Sequence, residues 1–439
     1  ETYDTVVKEN VLVDSPAGAV PAVVEAIRTA REHPQGPVRV GIPKDVLAGR
    51  TPQPAVGDRE PAAPPTPSAA AVDEAADLLA DANSPVLLAG GGVRRSGASD
   101  ALRSVAEELG APVATTYKGK GTFPETHPLS AGVLCGGASA EFRDLLAGAD
   151  VGLVVGSDLD AVATASWSVS MPETLIHVTL DGDDVGFGYE TDLGVVADAD
   201  RFLRALDARL DGDGAVDGAS DGPRARSGAD RAESVRTADR DRFAALSEPA
   251  DDDGSSEPGG RDDRPLRSVE VLSAVRDAVP EEAVVTADAG GFRLWTLVSF
   301  PASGPRSYVN PGSWATMGTG LPSAIGAKLA NPDRDVVALT GDGGLMMCVH
   351  EIHTLATEGI DVTVVALNND DYAIISEEAS RSYEFPEGAY GWADTGLDLV
   401  AVASGMGLPA ERVRERDAVG DAVERARARD GPALVEVVT

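Results

Sequence analysis

Asp335-Val336-Val337-Ala338-Leu339-Thr340-Gly341-Asp342-Gly343, followed after twenty-four residues by Asn368-Asn369, is the stretch on which the fold turns. The first run is almost continuously apolar, as a parallel strand buried on both faces should be. Val362-Thr363-Val364-Val365-Ala366-Leu367 has the same character. Between the two, Leu345, Val349, Ile352, Leu355 and Ala356 recur at helical spacing, which predicts one helix over Leu345 to Thr357. Strand, helix and strand make a βαβ unit with parallel strands. Asp342 and Asn369 then emerge side by side at the carboxyl edge of the sheet, where open α/β sheets bind ligands.

These residue types suit a divalent cation carrying a diphosphate. Gly341, Gly343 and Gly344 have no Cβ, so phosphate oxygens can approach backbone N–H groups where the helix begins. Asp342 supplies a hard anionic oxygen, Asn369 a neutral one and the carbonyl of Asp371 a third. Mg²⁺ takes about six oxygens and draws the remainder from phosphate and water.

The chain has 439 residues, too many for one core, so two or three domains are expected. Aromatic residues make up only 4% of the chain while hydrophobic residues make up 43%, which leaves Val, Ala and Leu to build the cores and favours α/β layers. Net charge is −35, and only Lys8, Lys44, Lys118, Lys120 and Lys328 are lysines. The acidic residues are spread through all parts of the chain, which reads as a whole-surface adaptation to high salt; a partner-binding acidic tail would concentrate them in blocks. Such a surface repels phosphate backbones, so nucleic acid is not an expected partner. Cys135 and Cys348 stand far apart on apolar segments, in keeping with a reducing cytoplasm. No apolar run approaches the ~20 residues of a membrane span, and no signal peptide opens the chain.

Five segments are expected. Residues 1–50 resemble the tail of a domain, with a helix over Ala19 to Arg31 and a short strand near Val38-Arg39-Val40. Residues 51–68, rich in Pro and Ala, form a linker. Residues 69–210 alternate helix and strand around Val86-Leu87-Leu88-Ala89, a Gly90-Gly91-Gly92 turn, Val113-Ala114-Thr115, Val151 to Gly156 and Leu175 to Leu180, a Rossmann-like parallel sheet. Residues 211–264 form an acidic, solvated connector with one helix near Ala229 to Leu246. Residues 265–439 make a second α/β domain, with helices Ser268 to Ala278 and Gly320 to Ala330 and a last strand Ala433 to Val438. The fold class is therefore α/β: two Rossmann-like parallel-sheet domains plus the remnant of a third.

Further segments extend the pattern: Val285-Thr286-Ala287-Asp288-Ala289-Gly290, then Thr316-Met317-Gly318-Thr319-Gly320-Leu321-Pro322-Ser323-Ala324-Ile325-Gly326-Ala327-Lys328, and Lys118-Gly119-Lys120-Gly121-Thr122-Phe123-Pro124-Glu125. With Gly341-Asp342-Gly343 and Asn368-Asn369, they resemble the thiamin-diphosphate enzymes of the acetolactate synthase and 2-oxo acid decarboxylase superfamily, over almost the whole chain. The run from Met317 to Lys328 lies on the acetolactate synthase side. The resemblance implies thiamin diphosphate and Mg²⁺ as cofactors, with Asp342, Asn369 and Asp371 as metal ligands and Gly290, Gly291, Gly341, Gly343, Gly344, Asn369 and Ile374 as cofactor contacts. It makes Met317 the apolar wedge that bends the cofactor and the Ala315 carbonyl the acceptor for its aminopyrimidine. Gly291 and Phe292 depart from the family, which has polar residues there.

The implied reaction is decarboxylation of pyruvate or another 2-oxo acid and carboligation to an acetohydroxy acid, of the kind that serves branched-chain amino-acid biosynthesis. A non-oxidative decarboxylase is the alternative, disfavoured by the Met317 run and by Ile375 in place of a glutamate. The implied assembly is a homodimer or homotetramer, with a small regulatory subunit as a further partner. The family's activating glutamate lies early in the pyrimidine-binding domain on a partner subunit. Residues 1–50 match only the exit from that domain, so the expectation is an N-terminally incomplete chain that is inactive alone; an inactive homologue is the third reading. FAD is raised by Gly90-Gly91-Gly92, but Asp158 places an anion where the family usually offers an arginine. His350 and His353 stand at i and i+3, the wrong spacing for a zinc-protease helix.

Overall fold

A computed structural model describes residues 2–52, 62–212, 223–248, 265–386 and 388–439. Part of the expected linker and much of the expected connector therefore lie outside the described residues. At the N-terminal end, β1 (Glu9–Leu12) pairs in parallel with β2 (Val38–Gly41), flanked by α1 (Pro16–Arg31) and α2 (Lys44–Leu47). The strand β1 has no counterpart in the sequence reading; three of its four residues are exposed, so it carries no apolar run to announce it.

The central sheet is built from α3 (Ala69–Asp81), β3 (Val86–Ala89), α4 (Gly91–Ser96), α5 (Ser99–Leu109), β4 (Val113–Thr116), β5 (Ser130–Leu134), α6 (Ala140–Ala147), β6 (Val151–Val155), β7 (Thr174–Thr179), β8 (Leu193–Val196) and α7 (Ala199–Gly212). Its strands are all parallel, in the order β5-β4-β3-β6-β7-β8. The order reverses between β3 and β6. Gly91 and Gly92 belong to α4 instead of a turn: a Cβ on Gly92 would lie 2.6 Å from the Cα of Gly156, so close packing against the end of β6 overrides their poor helix propensity. The sequence reading also passes over β5 and β8.

The segment expected as a solvated connector contains α8 (Pro223–Ser247), and this helix is packed, not solvated. It buries Ala232 and Val235 completely, and the Arg236 guanidinium donates to the carbonyls of Ser130 and Pro128 beside β5. The buried side chains are small and few among many charges, which is why composition suggests solvent.

The second sheet follows: α9 (Ser268–Ala278), β9 (Val284–Ala287), α10 (Phe292–Ser299), β10 (Tyr308–Val309), α11 (Gly320–Ala330), β11 (Val336–Gly341), α12 (Asp342–Met347), α13 (His350–Glu358), β12 (Thr363–Asn368), α14 (Ala373–Tyr383), α15 (Leu399–Gly405), β13 (Ala410–Val413), α16 (Arg416–Arg427) and β14 (Ala433–Val438). Again all strands are parallel, ordered β10-β9-β11-β12-β14-β13, with the reversal between β9 and β11. The single helix expected over Leu345 to Thr357 is two, α12 and α13. The Cys348 N–H turns back to the Leu345 carbonyl three residues earlier, and no Gly or Pro marks the break. The apolar spacing runs unbroken across both helices, which hides it from the sequence. Among the described residues no helix is long and apolar enough to cross a membrane.

Candidate active site

The strands β11 and β12 are buried along almost their whole length, and their register sets Gly341 opposite Leu367. Asp342 and the Asn368-Asn369 pair therefore leave adjacent strand ends, next to the β9/β11 reversal where a crevice opens. Asp342 is 2% exposed; one carboxylate oxygen accepts from the Gly343 N–H and the other from the Asp370 N–H, both at 2.8 Å. Burial pushes its carboxyl up to about 6, and these backbone donors only partly oppose that. Gly341 faces open space: a Cβ there would meet nothing nearer than Phe292 Cε1 at 3.8 Å.

The two asparagines divide the work. Asn368 is buried, and its amide donates to Glu436 Oε1 at 2.7 Å and to the Leu397 carbonyl at 3.1 Å. Asn369 is exposed beside Asp342. Asp370, at φ 55°, accepts from the Leu397 N–H through Oδ1, and its carbonyl accepts from the Trp392 N–H at 2.7 Å. The Asp371 side chain is engaged by the Ser376 hydroxyl at 2.7 Å, which leaves its backbone as the group to face a ligand.

Met317 comes to the same place from the segment before α11. A Cβ on Gly343 would lie 3.3 Å from Met317 Cε and 2.3 Å from Tyr372 Cε1, so both side chains close over Gly343. Ala315 is left-handed, at φ 45°, after a short turn over Gly312–Trp314. Gly290, at φ 158°, lies against the Phe292 ring, while Gly291 has no neighbour within 4 Å of an added Cβ. Phe292 thus stands between Gly290 and Gly341. The structure brings together Met317, Gly341, Asp342, Gly343 and the 369–371 loop; Gly344 packs inward, where a Cβ would meet Asp288 Oδ2 at 2.7 Å. Ile374 and Ile375 stand half-exposed on the first turn of α14.

Sequence reasoning assigned no role to Tyr372, Glu436 or Asp288. Tyr372 packs edge-on against Trp392 with centroids 5.0 Å apart, and Glu436 is buried in β14 between Asn368 and Arg412. An acidic residue inside an apolar strand was the available signal for Glu436.

A separate cavity of about 500 Å³ opens at the reversal of the central sheet, between Gly91 and Gly92 on one side and Gly156 to Asp158 on the other. The anion expected at Asp158 is paired with Lys118, whose Nζ lies 2.6 Å away and 3.0 Å from Asp160. This cavity does not contain the hard-oxygen set around Asp342.

Comparison with known proteins agrees with the geometry. Residues 288–437 match the family described as thiamine pyrophosphate enzyme, C-terminal TPP binding domain, and residues 72–206 match the thiamine pyrophosphate enzyme central domain. The acetolactate synthase large subunit of Parasynechococcus marenigrum is 30% identical over 439 residues, 98% of this chain and 67% of that protein. This chain belongs to the acetolactate synthase family of thiamin-diphosphate enzymes. Acetolactate synthase isozyme 1 large subunit of Escherichia coli is 29% identical, covering 98% of this chain and 72% of that one. The probable acetolactate synthase large subunit of Methanocaldococcus jannaschii is also 29% identical, over 99% of this chain and 71% of its own length. The crystal structure of benzoylformate decarboxylase from Polynucleobacter necessarius superposes with TM-score 0.75 at 24% identity, covering 98% of this chain and 76% of that one; it shares the fold. Family membership makes the chain an acetolactate-synthase-like enzyme with a thiamin diphosphate site in its second sheet.

Proposed function

We propose that the protein binds thiamin diphosphate through Mg²⁺ and converts 2-oxo acids, pyruvate above all, to acetohydroxy acids. The observation that carries this is the Asp342 carboxylate, buried at the β9/β11 reversal and tied at 2.8 Å to the loop that bears Asn369 and Asp371. Carboxylate, amide oxygen and carbonyl are the hard donors Mg²⁺ takes, so the donor set fits the ion. Asp342, Asn369 and the Asp371 carbonyl are its ligands in this reading. Gly290, Gly291, Gly341 and Gly343 line the diphosphate end, Gly344 packs behind them against Asp288, and Ile374 lies along the cofactor. When bound, the cofactor supplies an electron sink for carbanion chemistry at the 2-oxo carbon. The chain's own part is to position and to exclude water. With the cofactor bound, Met317 would be the apolar wedge against it, the Ala315 carbonyl would accept from its amino group, and Phe292 would stand beside Gly290 and Gly341 at the diphosphate end.

Trp314, Met347, Ile374 and Tyr383 are exposed apolar side chains on the segments that carry Ala315, Asp342 and Asp371, which supports a homodimer or homotetramer that covers them. A small regulatory subunit would bind elsewhere on such an assembly. Two buried, unpaired cysteines suit a reducing cytoplasm, and the net charge of −35 suits high salt. The proposed reaction needs no flavin. The central cavity is lined by carboxylates at Asp158, Asp181, Asp184 and Asp198 and by the cations Arg94, Arg95 and Lys118, the last of them paired with Asp158.

The test is calorimetry of the full chain with Mg²⁺ and thiamin diphosphate, followed by product analysis from pyruvate. Binding that needs both components and is lost in Asp342→Ala is expected, with an acetohydroxy acid as product. Binding that survives Asp342→Ala overturns the metal assignment, and acetaldehyde as sole product overturns the carboligation.

A further inference from the structure

Asp288 is fully buried one residue beyond β9, and nothing above assigns it a task. Three backbone N–H groups converge on its carboxylate: Ala289 at 2.8 Å and Thr319 at 3.2 Å on Oδ1, and Gly318 at 3.0 Å on Oδ2. Two hydroxyls also lie in reach, Thr319 Oγ1 at 3.3 Å and Thr340 Oγ1 at 3.1 Å. The neighbouring glycines leave room for it. A Cβ on Gly320 would fall 2.8 Å from Asp288 Cβ, and one on Gly344 would fall 2.7 Å from Oδ2.

A buried carboxylate that accepts only from neutral donors is costly unless those donors are fixed. Here they come from three separate pieces of chain: the end of β9, the turn that follows Met317, and Thr340 immediately before Gly341 and Asp342. No two of these pieces are neighbours in sequence. One side chain therefore sets how far the Met317 turn stands from the Gly341-Asp342 strand end.

We infer that Asp288 is a positioning residue which holds the Met317 turn in register with the diphosphate end of the site. The inference rests on the roles proposed above for Met317 and Asp342. An asparagine at 288 can keep its oxygen toward Ala289 and Thr319, but its NH₂ then faces the Gly318 N–H, donor against donor. The Met317 turn loses the nearer of its two backbone anchors, Gly318, while Asp342 and the 369–371 loop, held by their own hydrogen bonds, stay in place.

That asymmetry is measurable in the full chain with two probes, Mg²⁺ plus pyrophosphate and Mg²⁺ plus thiamin diphosphate. Pyrophosphate reports the Asp342 end alone; thiamin diphosphate also needs the Met317 end. In Asp288→Asn the thiamin diphosphate affinity should fall by about ten- to a hundredfold, the cost of one orphaned buried donor, while pyrophosphate affinity changes less than about twofold. Thr319→Val removes the hydroxyl's contact with Asp288 together with its 2.9 Å bond to the Thr316 carbonyl, keeps the Thr319 N–H on Asp288, and should move thiamin diphosphate in the same direction by a smaller factor. This variant carries the test if Asp288→Asn does not fold. Equal losses for both probes, or unchanged thiamin diphosphate binding in both variants, would overturn the inference. If the unmodified protein binds pyrophosphate but gains nothing from the thiamin moiety, the functional reading fails instead.

Discussion

Replacing Lys120 by methionine should destabilise this protein by about 3–5 kcal/mol, although the residue lies in a loop whose sequence looks solvent-facing. Its side chain is 1% exposed, and Nζ lies 2.6 and 2.7 Å from the two oxygens of Glu125 and 2.9 Å from the Leu297 carbonyl. The Tyr308 ring lies 5.1 Å from the same ammonium. The Glu125 side chain is only 11% exposed, with the Ala302 N–H at 3.2 Å as a further donor. The pair thus joins the loop after β4 to α10 and the segment beyond it, seating the central sheet on the second. Burial pushes the Glu125 carboxyl up, and the Lys120 charge opposes that. Methionine keeps most of the stem volume but leaves the carboxylate nearly alone, and uncompensated buried charge is the source of the cost. Removing both charges, as Lys120→Met with Glu125→Leu, should recover most of the loss, because two desolvation penalties disappear with the attraction. Urea unfolding of the four proteins of this cycle gives the coupling from the shift in midpoint at constant slope. The single-variant cost should be the same at 0.1 and 1 M KCl, since screening acts weakly on buried pairs. A cost below about 1 kcal/mol for Lys120→Met, or a double variant no better than the single, would refute the reasoning.

Two further outcomes are expected. In the metal-free chain the Asp342 carboxyl is raised from 3.8 to about 6, so its stabilising contribution is complete below 3.8 and is lost as pH rises through 6. The stability of the metal-free protein relative to Asp342→Asn should therefore fall by roughly 2 kcal/mol between about pH 4.5 and 7.5, read from urea midpoints; a constant difference across that window contradicts the burial account. Gly343→Ala puts a methyl 2.3 Å from the Tyr372 ring and should cost about 1–3 kcal/mol with weaker cofactor binding in calorimetry. Gly291→Ala, with open space around it, is the control, and equal melting temperatures for the two variants would count against the packing seen over Gly343.

The helices Ser268–Ala278 and Gly320–Ala330 and the strand Ala433–Val438 have the bounds that periodicity suggests, because clear turn signals flank them. Other elements left weaker traces. Ala232 and Val235 anchor α8 with small side chains among charges, and the break between α12 and α13 leaves the apolar spacing intact. Phe292, noticed as a departure from the family, has its place between Gly290 and Gly341 only in three dimensions.

That Asp342 and Asn369 leave the same edge of one sheet was a matter of sequence alone. Two doubly buried runs joined by a helix must lie parallel, and parallel strands deliver their next residues to one edge. That follows from backbone geometry acting over a few dozen residues. The strand orders, the burial of Lys120 with Glu125, and the convergence of Gly318, Thr319 and Thr340 on Asp288 were settled by tertiary structure. A buried charge survives only if partners reach it, and here those partners come from segments as much as 177 residues away along the chain.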